Sequence, residues 1–225
     1  NQLLAWSPDW LADAQISHLD GLARATCESQ TAPNMSRYSA ALWLSSLMTG
    51  QSRQTLLRHL RVMDHDSEVM QSWVDYIASS GCYRVANNSP VLAHRLPTRD
   101  DEAIKTTHFI RIPDIAGYGE YLGSFNAYKT ILSANQQRQV EQGRDPFSQQ
   151  LISAGITPAK TMRTLPARVY DATADLASIA LWAEWRPAHA STLTHYLSPR
   201  PDDIEQPIVD AILGLPTVKD RGHEV

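Results

Sequence analysis

Apolar residues recur every three or four positions through the N-terminal part of the chain, which is the spacing of helices that bury one face. The first predicted helix covers residues 7–28 and begins at Ser7-Pro8, a capping residue followed by proline at the first helical position. A second covers residues 36–48 and ends at Gly50, because glycine is favoured directly after a helix. A third, amphipathic helix is predicted over residues 52–63.

The pattern changes after a further predicted helix at residues 66–79. Short stretches rich in β-favouring residues then follow, separated by prolines and asparagines: 82–85, 91–96 and 107–112. Helical spacing returns in five later stretches: 118–142, 146–154, 158–170, 173–185 and 188–197. The pattern therefore predicts a mainly α fold with a small antiparallel β-sheet of two or three strands, of the α+β class.

The order of these elements predicts one main domain and a tail. The domain covers residues 1–205, with the sheet, at about 82–113, inserted between helices. A Pro- and acid-rich connector at 198–207 leads into a short helix at 208–213, so residues 206–225 are predicted to be a C-terminal tail. The first residue is Asn1 rather than Met, which suggests a fragment of a longer protein.

The composition is that of a globular domain, with 43% hydrophobic and 20% charged residues among 225. No apolar run approaches the length of a membrane span, so no membrane partner is expected. Cys27 and Cys82 lie far apart and are expected to be unpaired thiols, and two thiols without well-placed histidines do not make a structural zinc site. We therefore predict no cysteine-based metal site.

The charge is unevenly placed along the chain. A formal net charge of -4 argues against the uniformly basic surface that general nucleic-acid binders carry. The stretch RQTLLRHLR, residues 53–61, nevertheless holds three arginines and a histidine with no acid. Arg58 and Arg61 are therefore candidates for contact with a DNA backbone, and a solvated helix face is an equally good interpretation of the same pattern.

Four segments occur in an order that is typical of a known family. SPDWLADAQISHLDGLARA comes first, followed by ALWLSSLMTGQSRQTLLRHLR, an apolar helix with a Thr-Gly turn and a Leu-rich helix. Residues 104–113 carry Lys105 and end in Ile112-Pro113, and TPAKTMR at 157–163 ends in Arg163, 33 residues before Tyr196. Together these segments, over roughly residues 3–205, resemble the catalytic domain of the tyrosine recombinases, the phage-integrase family.

The resemblance implies that Tyr196 is a nucleophile, Lys105 a general acid and Arg163 a phosphate clamp. A scissile phosphodiester gains charge on its non-bridging oxygens in the transition state, and planar guanidinium groups match those oxygens bidentately. A Tyr hydroxyl, with an ordinary pKa of about 10, needs positive charge or a base nearby, and a Lys can protonate the leaving 5′ oxygen. Such chemistry requires no metal and no nucleotide.

Three positions depart from the family pattern. Ser52 stands where the family has its first Arg, and Arg53 is the neighbouring residue. The family's second conserved box, His-x-x-Arg, falls at TPAKTMR, and Lys160 stands at the position of its His. A Lys there can donate to a phosphate but is a poor proton acceptor unless its pKa is depressed. The third-box His or Trp position falls at about Arg186. Arg53, Lys160 and Arg186 are therefore further candidate site residues.

The resemblance also implies partners and a location. The expected partner is duplex DNA, on which the protein is expected to self-associate. The expected location is cytoplasmic and nucleoid-associated, and the expected role is to cleave and rejoin strands in recombination or integration of a mobile element. The departures favour an alternative, a catalytically inactive recombinase-like module for DNA binding or assembly. A third interpretation is a helical protein–protein adaptor. These interpretations can be distinguished by whether one cleft contains Tyr196, Arg163, Lys105 and either Arg53 or Arg186.

Overall fold

The computed structural model describes residues 10–66, 72–86, 109–175, 179, 182–183 and 201–219. These residues form a mainly helical fold with one small four-stranded sheet, which confirms the predicted α+β class. The predicted helix start at Ser7-Pro8, the predicted strand at 91–96 and the predicted helix at 188–197 lie outside the described residues.

The helices of the described residues agree with the sequence pattern in most places. They are α1 (Asp13–Glu28), α2 (Asn34–Thr49), α3 (Arg53–His59), α4 (Phe125–Ile131), α5 (Ala134–Glu141), α6 (Pro146–Ser153), α7 (Pro158–Thr173), α8 (Pro201–Leu213) and the short α9 (Pro216–Lys219). The single helix predicted at 118–142 is wrong: a 3₁₀ turn, Tyr118–Leu122, precedes α4 and α5. The break before α5 arises because Ser133 caps a new helix by accepting a hydrogen bond from the Gln136 N–H.

The first helix begins later than the sequence predicts. α1 starts at Asp13, and Trp10 and Leu11 precede it in non-helical backbone. The Leu11 N–H donates to the Thr164 hydroxyl of α7, at 3.1 Å, instead of to a carbonyl of its own helix. This tertiary bond fixes the entry of α1 against α7 and explains the shift of the helix start.

The central element of the fold is α2. Of its 16 residues, 13 are buried, so this helix is enclosed on nearly all sides rather than amphipathic. It packs against α1, α7, α6, α4 and the 3₁₀ turn. Its buried hydroxyls find partners in neighbouring elements, as in the contact of Ser45 with the Tyr83 hydroxyl of the sheet at 3.3 Å.

The sheet is larger and differently built than the sequence predicts. Its strands are β1 (Leu60–Met63), β2 (Val74–Ile77), β3 (Cys82–Ala86) and β4 (Phe109–Pro113), in the order β1-β2-β3-β4. The pair β1–β2 is parallel and the other two pairs are antiparallel, so the sheet is mixed rather than antiparallel and begins at Leu60 rather than near residue 82.

Strand pairing overrides two predicted helices. The helix predicted at 52–63 ends at His59, and the helix predicted at 66–79 is replaced by β2, all four residues of which are buried. In β2 the apolar Val74 lies opposite Val85 of β3, and Asp75 lies opposite Arg84. Buried neighbours on both sides favour a strand where local spacing alone favours a helix.

Both edges of the sheet are covered by side chains from helices. At one edge, the backbone N–H of Arg111 in β4 donates to the Glu205 carboxylate of α8 at 2.8 Å. At the other, the Val62 carbonyl of β1 accepts a hydrogen bond from the Asn126 amide of α4 at 3.2 Å. These contacts occupy backbone groups that an open sheet edge would expose.

The C-terminal segment is part of the packed structure. The connector predicted at 198–207 is wrong, because α8 begins at Pro201 and continues to Leu213. This helix packs against both α7 and β4, with Ile204, Ile208 and Ile212 buried. The predicted boundary between residues 205 and 206 therefore falls inside one helix. Proline at the helix start and the acids directly after it favour this helix.

The turn after α2 provides a test of the packing. Gly50 has φ 63°, and a Cβ there would lie 2.8 Å from Trp182 Cζ3 and 3.0 Å from Pro166 Cγ. We expect Gly50→Ala to lower the free energy of unfolding by about 2–5 kcal/mol, through left-handed strain and overpacking together. Gly81→Ala is the matched control, because Gly81 has φ 56° and no atom within 4 Å of such a Cβ.

Urea unfolding of both variants measures the difference. The control should lose only the conformational part, about 1 kcal/mol. Equal losses at the two positions would contradict the close packing of Gly50 against α7.

Candidate functional site

Three separate segments of the chain meet at the turn after α2. Gly50 adopts the left-handed conformation that ends α2, and its N–H donates to the Ser46 carbonyl at 3.1 Å. Its Cα face lies against Pro166 of α7 and the ring of Trp182. The next residue, Gln51, is buried, and its side-chain amide donates to the Trp182 backbone carbonyl. The turn thus joins the start of α3, the middle of α7 and the segment around Trp182.

The first half of α7 carries the cations predicted for the second box. Thr157 caps the helix by accepting a hydrogen bond from the Lys160 N–H at 3.3 Å. Lys160 and Arg163 are both half-buried, and Arg163 lies one helical turn before Pro166, the residue that touches Gly50. The first turn of α7 contains no acid, so the positive end of the helix dipole adds to these two charges.

Arg53 lies in the interior, at the start of α3. It is 4% exposed, and its Nη2 donates to the Val140 carbonyl at the end of α5. The same nitrogen lies 3.6 Å from the Asp145 carboxylate, and the guanidinium stacks over the Trp43 ring, 5.0 Å from its centroid. Burial lowers the pKa of Arg53 to about 10, and the negative charge of Asp145 opposes this shift. Arg53 therefore remains charged at neutral pH.

Arg53 belongs to a buried polar network that joins α2, α3, α5 and α6. Asp145 is fully buried and caps α6 through the Ser148 N–H at 2.9 Å, and it also accepts a hydrogen bond from the Ser148 hydroxyl. That hydroxyl in turn accepts from the Trp43 indole N–H at 3.0 Å and contacts the Ser39 hydroxyl at 3.1 Å. The network gives Arg53 a counter-charge where water has no access.

The two arginines predicted to contact a DNA backbone are both on the surface. Arg58, near the end of α3, pairs with Glu141 of α5 at 3.2 Å, and both side chains are well exposed. Arg61 is exposed on β1 rather than on a continuation of the helix. Because α3 ends at His59, these two side chains belong to different elements and do not form one helix face.

The structure thus brings some of the predicted site residues together. Lys160 and Arg163 lie one turn apart in the first half of α7, whereas the guanidinium of Arg53 contacts α5 and α6. Tyr196, Lys105 and Arg186 lie outside the described residues, as does most of the predicted helix at 173–185. Of that helix, Ile179 and Trp182 are described as helical, and Trp182 precedes Tyr196 by 14 residues.

Sequence reasoning did not identify two residues that organise this region. Gln51 stands between the turn glycine and the cap residue Ser52, and its position gives no sign that it holds the Trp182 backbone. Asp145 stands directly before Pro146, which is a readable cap-and-proline signal for α6, but its pairing with Arg53 is a long-range contact that spacing does not reveal.

Three further findings concern the described residues. Within the described ranges, no three His, Cys, Asp or Glu side chains are grouped so that they could hold a metal ion. The described helices include none with the length and apolar character needed to cross a membrane. Cys27 and Cys82 are free thiols.

Comparison with known proteins gives no match to any family model, curated protein or solved structure. Function is therefore inferred from the residues and their geometry.

The buried pair of Arg53 and Asp145 can be tested by stability. We expect Asp145→Ala to lower the free energy of unfolding by about 3–5 kcal/mol, because it leaves a buried guanidinium without a counter-charge and removes the cap of α6. Ser133→Ala, which removes the exposed cap of α5, is the matched control and should cost about 1 kcal/mol. Chemical denaturation followed by circular dichroism measures both; a loss near 1 kcal/mol for Asp145→Ala would show that Arg53 does not depend on it.

Proposed function

We propose that this chain is a divergent tyrosine-recombinase-like domain that cleaves and rejoins duplex DNA through Tyr196. The observation that carries the proposal is the contact of Gly50 with Pro166 and Trp182. This contact sets the turn before α3 beside the middle of α7, where Pro166 follows Arg163 by one helical turn, and beside Trp182, which stands 14 residues before Tyr196 in the sequence. These are the segments that the sequence resemblance assigns to one site.

The proposed chemistry uses side chains alone. The Tyr196 hydroxyl gives its proton to solvent water as its Oη attacks the phosphorus of one strand, a 3′-phosphotyrosyl bond forms, and the bond to the 5′ oxygen breaks. Lys105 donates the proton that the leaving 5′ oxygen needs, and Arg163 and Lys160 stabilise the charge on the non-bridging oxygens. Attack of a 5′ hydroxyl on the phosphotyrosyl bond reverses these steps and rejoins a strand. Arg186 is proposed to supply a further cation.

A second candidate function is favoured by the environment of Arg53. Its Nη2 is committed to the Val140 carbonyl and lies near Asp145, and it is almost fully buried. A phosphate could reach this guanidinium only if those contacts were exchanged, and Ser52 beside it is an uncharged helix cap. A site without the first arginine of the family pattern fits a catalytically inactive module that binds DNA or assembles on it. Self-association on DNA is expected for this module and for the active recombinase alike.

Covalent capture of DNA tests the leading proposal. Duplexes with a randomised core and a nick trap a cleaved intermediate, because the short fragment beside the nick diffuses away and cannot be rejoined. We expect a protein–DNA adduct that survives denaturation and is lost in Tyr196→Phe. Tyr128→Phe is the matched control, since the ring of Tyr128 packs against the core on α4, and this variant should form the adduct normally.

The clamp role of Arg163 is tested with the same substrates. Arg163→Ala should lower the rate of adduct formation by about 100-fold or more, as loss of one charge-stabilising donor does in other enzymes. An adduct that persists in Tyr196→Phe would refute the nucleophile assignment. Binding to DNA without an adduct from any substrate would select the second candidate, and no binding at low salt would refute both.

A further inference from the structure

A row of charged side chains crosses the sheet from edge to edge. In the strand register Arg61 of β1 lies opposite Asp75 of β2, Asp75 opposite Arg84 of β3, and Arg84 opposite Arg111 of β4. Directly opposite residues project from the same face of a sheet. The row therefore places three arginines and one aspartate on one face.

Most of this charge is neutralised within the fold. Arg84 is almost fully buried and pairs with Asp75 at 3.0 Å and with Asp66 at 2.7 Å. The Asp66 carboxylate also lies 3.7 Å from Arg111. Arg84 and Arg111 thus each lie against an aspartate. Among the described residues, no carboxylate forms an ion pair with Arg61.

A second cation lies on the helix that packs against β1. The hydrogen bond from Asn126 of α4 to the Val62 carbonyl of β1 fixes this contact, and Lys129 lies one helical turn further along α4. Partial burial lowers the pKa of Lys129, and the positive charge of Arg61 lowers it further. Like charges on two packed elements repel each other, and an anion that contacts both relieves this repulsion.

Arg58 differs from this pair, although it is close in sequence. Its charge is balanced by Glu141, and the same carboxylate accepts a hydrogen bond from the Gln54 amide at 3.1 Å. The excess positive charge of this surface therefore lies at the junction of β1 and α4 rather than along α3.

We propose that Arg61 and Lys129 together bind the sugar-phosphate backbone of duplex DNA, and that Arg58 contributes little because Glu141 neutralises it. The two cations are on separate elements at the surface, which suits the spaced phosphates of a polyanion better than one small anion. The proposal takes its partner from the proposed function but does not depend on strand cleavage.

The salt dependence of binding tests this contact. The Tyr196→Phe chain, in which covalent trapping is removed, is titrated with a duplex at several salt concentrations, and the slope of log K against log salt is measured. Arg61→Gln and Lys129→Gln should each reduce the slope by about 0.9, and the double variant by about twice that, because each removes one phosphate contact. Lys129→Arg keeps the charge and should retain the slope.

The matched control instead removes an ion pair that has no net charge, Arg58 with Glu141. Arg58→Gln combined with Glu141→Gln should leave the slope unchanged, and Glu141→Gln alone should increase it, because Arg58 is then released. An unchanged slope in the Arg61 and Lys129 variants, in protein that remains folded by circular dichroism, would overturn the proposal. Tighter binding to an RNA duplex of the same sequence, lost in the same double variant, would overturn DNA as the partner.

The outcome separates this contact from the proposed catalysis. If the Arg61 and Lys129 variants reduce the salt slope as predicted but the wild-type chain forms no adduct with DNA, the proposal of strand cleavage fails and the proposed contact stands. If the adduct forms while the slopes do not change, cleavage stands and the contact fails.

Discussion

The near-complete burial of α2 is the constraint on which the rest of the structure depends. Polar side chains in such a helix need partners from neighbouring elements, because a buried hydroxyl or indole N–H without one costs free energy. The Tyr38 hydroxyl is an exception that has none among the described residues. Trp43 and Ser39 find their partner in Ser148 of α6, and Ser45 finds its partner in Tyr83 of the sheet. These bonds fix α6 and the sheet on different sides of the same helix.

The same constraint shapes the candidate site. α2 ends inside the protein, so the chain must turn sharply at Gly50 without a side chain that would strike Pro166 or Trp182. The turn itself therefore lies against Pro166 in the middle of α7, the helix that bears Lys160 and Arg163. Gln51 reinforces this arrangement by holding the Trp182 backbone.

Sequence reasoning succeeded where local signals agree with the fold. The stop at Gly50 after the apolar helix and the helix starts at about residues 52 and 158 were predicted correctly, because caps and turns depend on neighbouring residues. It failed where long-range pairing decides the backbone. β2 was predicted as a helix because its strand character depends on Val85 and Arg84 of a neighbouring strand.

The site itself was only partly predictable for the same reason. The positions of Arg163 and Lys160 on one helix follow from spacing, and their proximity to the turn after α2 required the fold. The interior position of Arg53 could not be read from the sequence, since the surrounding pattern RQTLLRHLR is typical of an exposed basic helix. Its partner Asp145 lies 92 residues away along the chain.

Our central proposal is that Tyr196 and Arg163 act on the same phosphate of duplex DNA. A crystal structure of the chain bound to a DNA duplex tests it most directly. The account predicts that the Tyr196 hydroxyl and the Arg163 guanidinium both lie within hydrogen-bonding distance, about 3 Å, of the same phosphate group. Tyr196 and Arg163 on different phosphates, or either side chain turned away from the DNA, would contradict it.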